Sequence, residues 1–196
     1  MSIDYKDIVI IEDSRNKVGA HDNKNKYFQE KGIRVLRSKL PFGDYALVND
    51  SSISIDTKMS VLELENCLTK DHIRFRNEIT NANNFGIGIV ILIEETIQYK
   101  NLDDVALRYQ MPKWKSNSFT RIDGKLVCRH RKGQPMGQFN IETLVKAMKT
   151  MQQKYAVIFA FTTPEKCGEV IIDILVNNRE SISKYFSSKL KEINNK

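Results

Sequence analysis

The run Gly88-Ile-Val-Ile-Leu-Ile93, closed by Glu94-Glu95, most constrains what this chain can fold into. A strand with one wet face alternates apolar and polar residues. An unbroken apolar run reads instead as a central strand covered on both faces. Covering two faces calls for helices on both sides, and the chain supplies them. Residues 8–13, 33–40 and 156–161 read as further strands. Helical patterns occupy 22–31, 60–83 with a break near 69–71, 102–108, 140–154, 163–177 and 181–193. Asn140 and Thr163 stand as caps, and Pro164 stands at a first helical position. This order predicts an α/β fold, a mixed central sheet flanked by helices. The length, 196 residues, suits a single domain spanning 1–196.

Several function classes are disfavoured. No apolar run reaches the length of a membrane span, and Met1-Ser-Ile-Asp-Tyr-Lys-Asp7 has no signal-peptide character, so no membrane partner is expected. Cys67, Cys128 and Cys167 are scattered and odd in number, which fits thiols in a reducing compartment. Cys128 and His130 make one pair of zinc-type ligands, but a structural site needs four. Neither a Gly-x-x-x-x-Gly-Lys-[Ser/Thr] loop nor a Gly-x-Gly-x-x-Gly turn occurs, so no nucleotide cofactor is expected.

The charge is informative because it is local. Arg108, Lys113, Lys115, Arg121, Lys125, Arg129, Arg131 and Lys132 face only Asp123 between residues 108 and 139, which accounts for the whole net charge of +7. Tyr109, Trp114 and Phe119 are interspersed, and residues 122–126 read as a hairpin turn. Cations for phosphates and flat rings for bases make this insertion a candidate DNA contact; a solvated loop is the plainer alternative.

Residues 43–58 read as a strand, a turn and a second strand. Side chains two apart share a face, so Asp56 and Lys58 emerge together. A turn centred on Asp50 sets Asp44 opposite Asp56, at roughly 4.5–5.5 Å between Cβ atoms. Two carboxylates that close repel unless a cation lies between them. A hard ion such as Mg²⁺ takes few carboxylates, with water and phosphate oxygens completing its shell. An acid-x-Lys triplet is weak alone, recurring at Asp22/Lys24 and Asp123/Lys125, and a strand-end salt bridge is the alternative.

Five motifs in order carry a family resemblance: Asp13-Ser-Arg15-Asn16, Gly43-Asp44-Tyr45, Asp56-Thr57-Lys58, Arg74-Phe-Arg-Asn-Glu78 and Leu92-Ile-Glu94. Over residues 8–95 the chain resembles the XPF-type nuclease domain of the PD-(D/E)XK superfamily, in a compact, phage-like version without a helix-hairpin-helix domain. The resemblance implies a restriction-endonuclease-like core and a metal-dependent DNA endonuclease acting on branched or structured DNA in repair or recombination. A bacterial or phage-infected cytoplasm is the implied location. It implies that Asp44, Asp56 and the Thr57 carbonyl hold Mg²⁺ or Mn²⁺, and that Lys58 positions the attacking water. Asp13 is a further ligand or a strand-end partner of Arg15. Arg74 supports the site or pairs with Glu78 one helical turn on. Arg15 joins the residues of the basic insertion as a candidate DNA contact. Dimerisation is common among relatives, and the helices from about 163 offer a face for a second copy.

Departures from the pattern matter too. Asn16 replaces the family Glu, Thr57 an Arg and Glu78 a Gln, and Leu62 stands where an acid is expected, leaving Glu63 or Glu65 as substitutes. His72 at a helix start reads as a cap or surface residue more readily than as a base. The family also includes catalytically inactive DNA-binding scaffold subunits, which remain the alternative.

Overall fold

The computed structural model describes residues 5–17, 19, 21–137 and 139–195. Part of the export argument, residues 1–4, lies outside the described residues. Six strands form the main sheet: β1 (Val9–Asp13), β2 (Arg34–Ser38), β3 (Tyr45–Leu47), β4 (Ile53–Lys58), β5 (Gly88–Glu94) and, numbered in chain order, β8 (Val157–Thr162). Their order is β2-β1-β3-β4-β5-β8. β1 runs parallel to β2 and antiparallel to β3, the β3–β4 hairpin is antiparallel, and β4, β5 and β8 are parallel. The remaining pair, β6 (Ser118–Ile122) and β7 (Lys125–His130), makes a separate two-stranded ribbon. The α/β expectation therefore holds, with a mixed central sheet between helices.

Every residue of β5 is buried, as its continuous apolar character requires. Ile89, Ile91 and Ile93 enter a core with α2 (Val61–Thr69), α3 (His72–Asn84), α4 (Leu102–Arg108) and α5 (Ile141–Lys154). Val90 and Leu92 enter a second core with α1 (Asp22–Glu30), α6 (Cys167–Ile172) and α7 (Arg179–Asn194). No helix among the described residues is long and apolar enough to cross a membrane.

Local chemistry sets most helix ends. Ser60 Oγ accepts from Glu63 N at 3.1 Å, while Glu63 Oε2 accepts from Met59 N at 2.7 Å, a reciprocal cap that starts α2. Asn140 Oδ1 accepts from Glu142 N and Thr143 N at the start of α5. The expectation at Thr163-Pro164 needs correction. Residues 163–166 form a turn closed by Lys166 N donating to Thr163 O at 3.0 Å, and α6 begins only at Cys167. It widens into a π-helical turn, Asp173–Asn177, with Asn178 N donating to Asp173 O. The wider turn lets adjacent Ile174 and Leu175 both reach the core.

Candidate active site

The β3–β4 hairpin builds the site from its backbone outward. Gly43 turns the chain into β3 at φ +68°, and a Cβ there would stand 2.5 Å from Ser54 Oγ and 2.7 Å from the Ile55 carbonyl. Only glycine fits that corner. The register pairs Tyr45 with Ile55 and Ala46 with Ser54, centring the turn on Asp50 and bringing Asp44 level with Asp56. Asp44 N donates to Ile55 O at 2.7 Å, and Asp13 N to Asp44 O at 2.8 Å, so Asp44 is tied to β1 and β4 together.

Asp56 and Lys58 pair in register with Ile91 and Ile93 and share their face, the side covered by α2 and α3. Lys58 Nζ sits 2.7 Å from Asp56, and each side chain is 13% exposed. Burial pushes the Asp56 carboxyl up to about 7; Lys58 opposes this, while the charges of Asp44 and Glu78 add to it. Burial disfavours the charge on Lys58, but Asp56 outweighs it and holds the ammonium above the ordinary lysine value. Asp44 is held differently. Its Oδ2 accepts from Thr57 N at 2.8 Å and Thr57 Oγ1 at 2.6 Å, and its Oδ1 from Asn16 Nδ2 at 3.1 Å.

The other predicted residues surround this pair. Asp13 is committed to Arg15: Arg15 Nε donates to Asp13 Oδ2 at 2.7 Å and Arg15 N to Oδ1 at 3.0 Å. Burial raises the Asp13 carboxyl, but these contacts prevail and leave it below its usual value. The structure thus places Asp13 as the strand-end partner of Arg15. Arg15 also donates to Leu40 O and lines an open cleft of about 760 Å³ with Arg74 and Glu78. Arg74 lies 3.7 Å from both Asp71 and Glu78 with its side chain 68% exposed, so its ion pairs coexist with a place in the cleft. Glu63 caps α2 and Glu65 accepts from Thr69 Oγ1, so both are engaged on their own helix; the acids whose charges act on Asp56 are Asp44 and Glu78. His72 is exposed and bonded to Thr69 O.

Asn16 was legible only as a lost acid, yet it supplies a donor to Asp44. A second buried polar cluster, on the reverse face, escaped sequence reading. His21 Nδ1 meets Tyr45 Oη at 2.6 Å and lies 3.4 Å from Glu12, and Lys24 Nζ reaches Glu94 at 2.6 Å. Burial, then the Lys24 charge, hold His21 below its ordinary pKa. Alternation was the available signal, since Glu12 and Glu94 follow strand residues that face the α1 side.

The basic insertion lies beside α2. Lys113, Lys115, Arg121, Lys125, Arg129, Arg131 and Lys132 are all exposed. Lys113 and Lys115 flank Trp114, which stacks on His130 with ring centroids 4.7 Å apart. His130 is therefore engaged as a stacking partner, and among the described residues no three His, Cys, Asp or Glu side chains gather as a metal-binding group.

No protein-family model and no curated protein sequence matches this chain. Solved structures do. XPF from Aeropyrum pernix aligns over 95% of this chain and 69% of its own, with 15% identity and a TM-score of 0.53. The same organism's XPF in complex with DNA aligns over 89% of this chain and 66% of its own, with 15% identity and a TM-score of 0.54. The chain has an XPF-type nuclease fold.

Proposed function

We propose that this protein is a metal-dependent DNA endonuclease, one nuclease unit over residues 1–196, that hydrolyses phosphodiester bonds in branched or structured DNA. The observation that carries this reading is the pairing of Asp44 and Asp56 across one hairpin end, with Lys58 bound to Asp56 in a buried position, on a fold shared with XPF. The same likeness to a DNA complex supports DNA as the partner.

The residues fit a small, oxygen-ligated cation. Asp56 is a buried carboxylate that a nearby positive charge would relieve. Asp44 accepts three hydrogen bonds, and a carboxylate offers about four lone-pair sites, so one stays open. Asp44, Asp56 and the Thr57 carbonyl would hold Mg²⁺ or Mn²⁺, leaving water and substrate phosphate to complete the shell. Such an ion supplies phosphoryl polarisation and a lowered water pKa. Lys58, kept protonated by Asp56, acts as a fixed cation that orients the attacking water and stabilises developing negative charge. Thr57 and Asn16 fix the rotamer of Asp44. Arg15, locked by Asp13, and Arg74 offer guanidinium groups to phosphates entering the cleft.

A second reading, a silent DNA-binding scaffold, is favoured by one observation: Asn16 and Thr57 occupy three of the four acceptor sites of Asp44. The test is cleavage of labelled duplex, flap and four-way-junction DNA with Mg²⁺, Mn²⁺ or EDTA. Wild type should cut only with metal, and Asp56→Ala should lower the rate about 10²–10³-fold, the scale of losing a principal electrostatic group. DNA binding without cutting under either metal would transfer the assignment to the scaffold.

A further inference from the structure

The ribbon of β6 and β7 stands apart from the sheet and exposes apolar side chains on both of its faces. Its turn, Asp123-Gly124, has positive φ at both residues (48° and 75°), the geometry whose twist matches a two-stranded ribbon. The base is fastened by Trp114 N to Gln134 O and Gly133 N to Trp114 O, each 2.9 Å, and Met136 N to Pro112 O at 2.7 Å. Beyond that base, Phe119 is 55%, Ile122 53%, Leu126 66% and Val127 41% exposed. The register pairs Ile122 with Lys125 and Thr120 with Val127, and Arg121 with Leu126 and Phe119 with Cys128. Paired residues share a face, so each face carries two large apolar side chains and a cation.

That arrangement fits a slot better than a flat surface, because docking one face would leave the other wet. The slot must also be anionic. Seven exposed cations of the insertion, Arg108 apart, have no ion-pair partner among the described residues; Asp123 is the one acid within residues 108–139, and Glu65 lines the neighbouring cleft together with Arg129. Location supplies the third argument. A second cleft of about 940 Å³, lined by Leu62, Lys70, Arg129 and His130 among others, runs between α2 and the ribbon. Lys70 also lines the cleft of Arg15 and Arg74, so the two clefts meet at Lys70 and form one path in which four basic residues stand against Glu65, Asp71 and Glu78, with His130 beside them.

We propose that this ribbon is a base-stack wedge: Arg121, Lys125 and Arg129 hold phosphates on its two sides while Leu126, Ile122 and Phe119 enter a base step of DNA lying in the path. The inference rests on the DNA-directed reading of the site. Apolar side chains that part a base step are a general means of bending DNA, with phosphate contacts offsetting the lost stacking.

The test uses full-length protein in EDTA, with 2-aminopurine walked along duplex and forked oligonucleotides, so that no cutting intervenes. Wild type should raise the probe's fluorescence severalfold at one step. Leu126→Thr and Ile122→Thr keep strand propensity and should lose most of that rise while the salt dependence of binding is unchanged. Arg121→Gln and Lys125→Gln should keep the rise at saturation but each lower the salt slope by about one. Emission of Trp114, the chain's one tryptophan, checks that the ribbon base is intact in every variant. Binding without a rise at any probe position, or a Leu126→Thr response equal to wild type, overturns the wedge and leaves the nuclease reading standing. A threonine variant that alters only self-association would reassign the apolar faces to a contact between copies and likewise overturn it. Unstacking without cleavage in Mg²⁺ would keep the wedge and remove the nuclease reading.

Discussion

At the scale of the residue, Asp56 is under opposing demands. Burial favours its neutral form, lifting the carboxyl to about 7, whereas metal ligation needs the anion. Because the folded pKa lies above the unfolded one, Asp56 contributes stability that is complete below about pH 4 and lost as pH rises through about 7. Above that range the fold carries a buried anion that a cation would relieve. Apparent Mn²⁺ affinity should therefore rise about tenfold per pH unit below 7 and level off above it, since one proton is displaced. Thermal shifts titrated with Mn²⁺ between pH 5.5 and 8 measure this, with Asp56→Asn as the control. A flat profile would mean that Asp56 is not the ligand. Asp44, Asp56 and Lys58 were legible because strand alternation and a central turn determine which side chains meet. Asn16 and Glu78 were not, because a loop and a helix deliver them.

At the scale of the element, α1 shows how a polar pattern hides a core contact. Phe28 and Lys24 lie one turn apart on the same face, and both are buried. Lys24 pairs with Glu94 at the end of β5, with side chains only 7% and 10% exposed. Removing one partner of a buried pair strands the other charge, so Lys24→Met should cost about 3–5 kcal/mol, and Lys24→Met with Glu94→Leu should recover most of it. Urea unfolding of the three proteins decides the matter. A single-variant loss below about 1 kcal/mol, the range of exposed pairs, would show that solvent already screens Glu94. The capped start of α5 was readable from Asn140, and the start of α2 from the onset of the helical pattern near 60, whereas the cap at Ser60 emerged only in the structure. The start of α6 was not readable, because Thr163 and Pro164 were recruited into a turn.

At the scale of the whole molecule, α7 joins the sheet to the β3–β4 hairpin. Gly88 lies against Phe186, and a Cβ on Gly88 would come within 2.1 Å of the ring. Arg179, the first residue of α7, donates from Nε to Asp50 Oδ2 at 3.0 Å and from a terminal nitrogen to Asp50 O at 3.1 Å, clamping the hairpin turn. Gly88→Ala must displace α7, which should cost about 1–3 kcal/mol and speed hydrogen exchange at residues 49–52. Native stability with unchanged exchange would show that α7 and the hairpin are uncoupled. The amino-acid sequence by itself determined the buried central strand, the hairpin that opposes Asp44 to Asp56, and the concentration of charge around β6 and β7. Those features follow from side-chain periods of two and 3.6 and from local turn chemistry. Only the tertiary structure decided that Phe186 covers Gly88, that Lys24 meets Glu94, and that Lys70 lines both the cleft of Arg15 and Arg74 and the cleft beside the ribbon. Each of these depends on the path between distant segments, which no local period encodes.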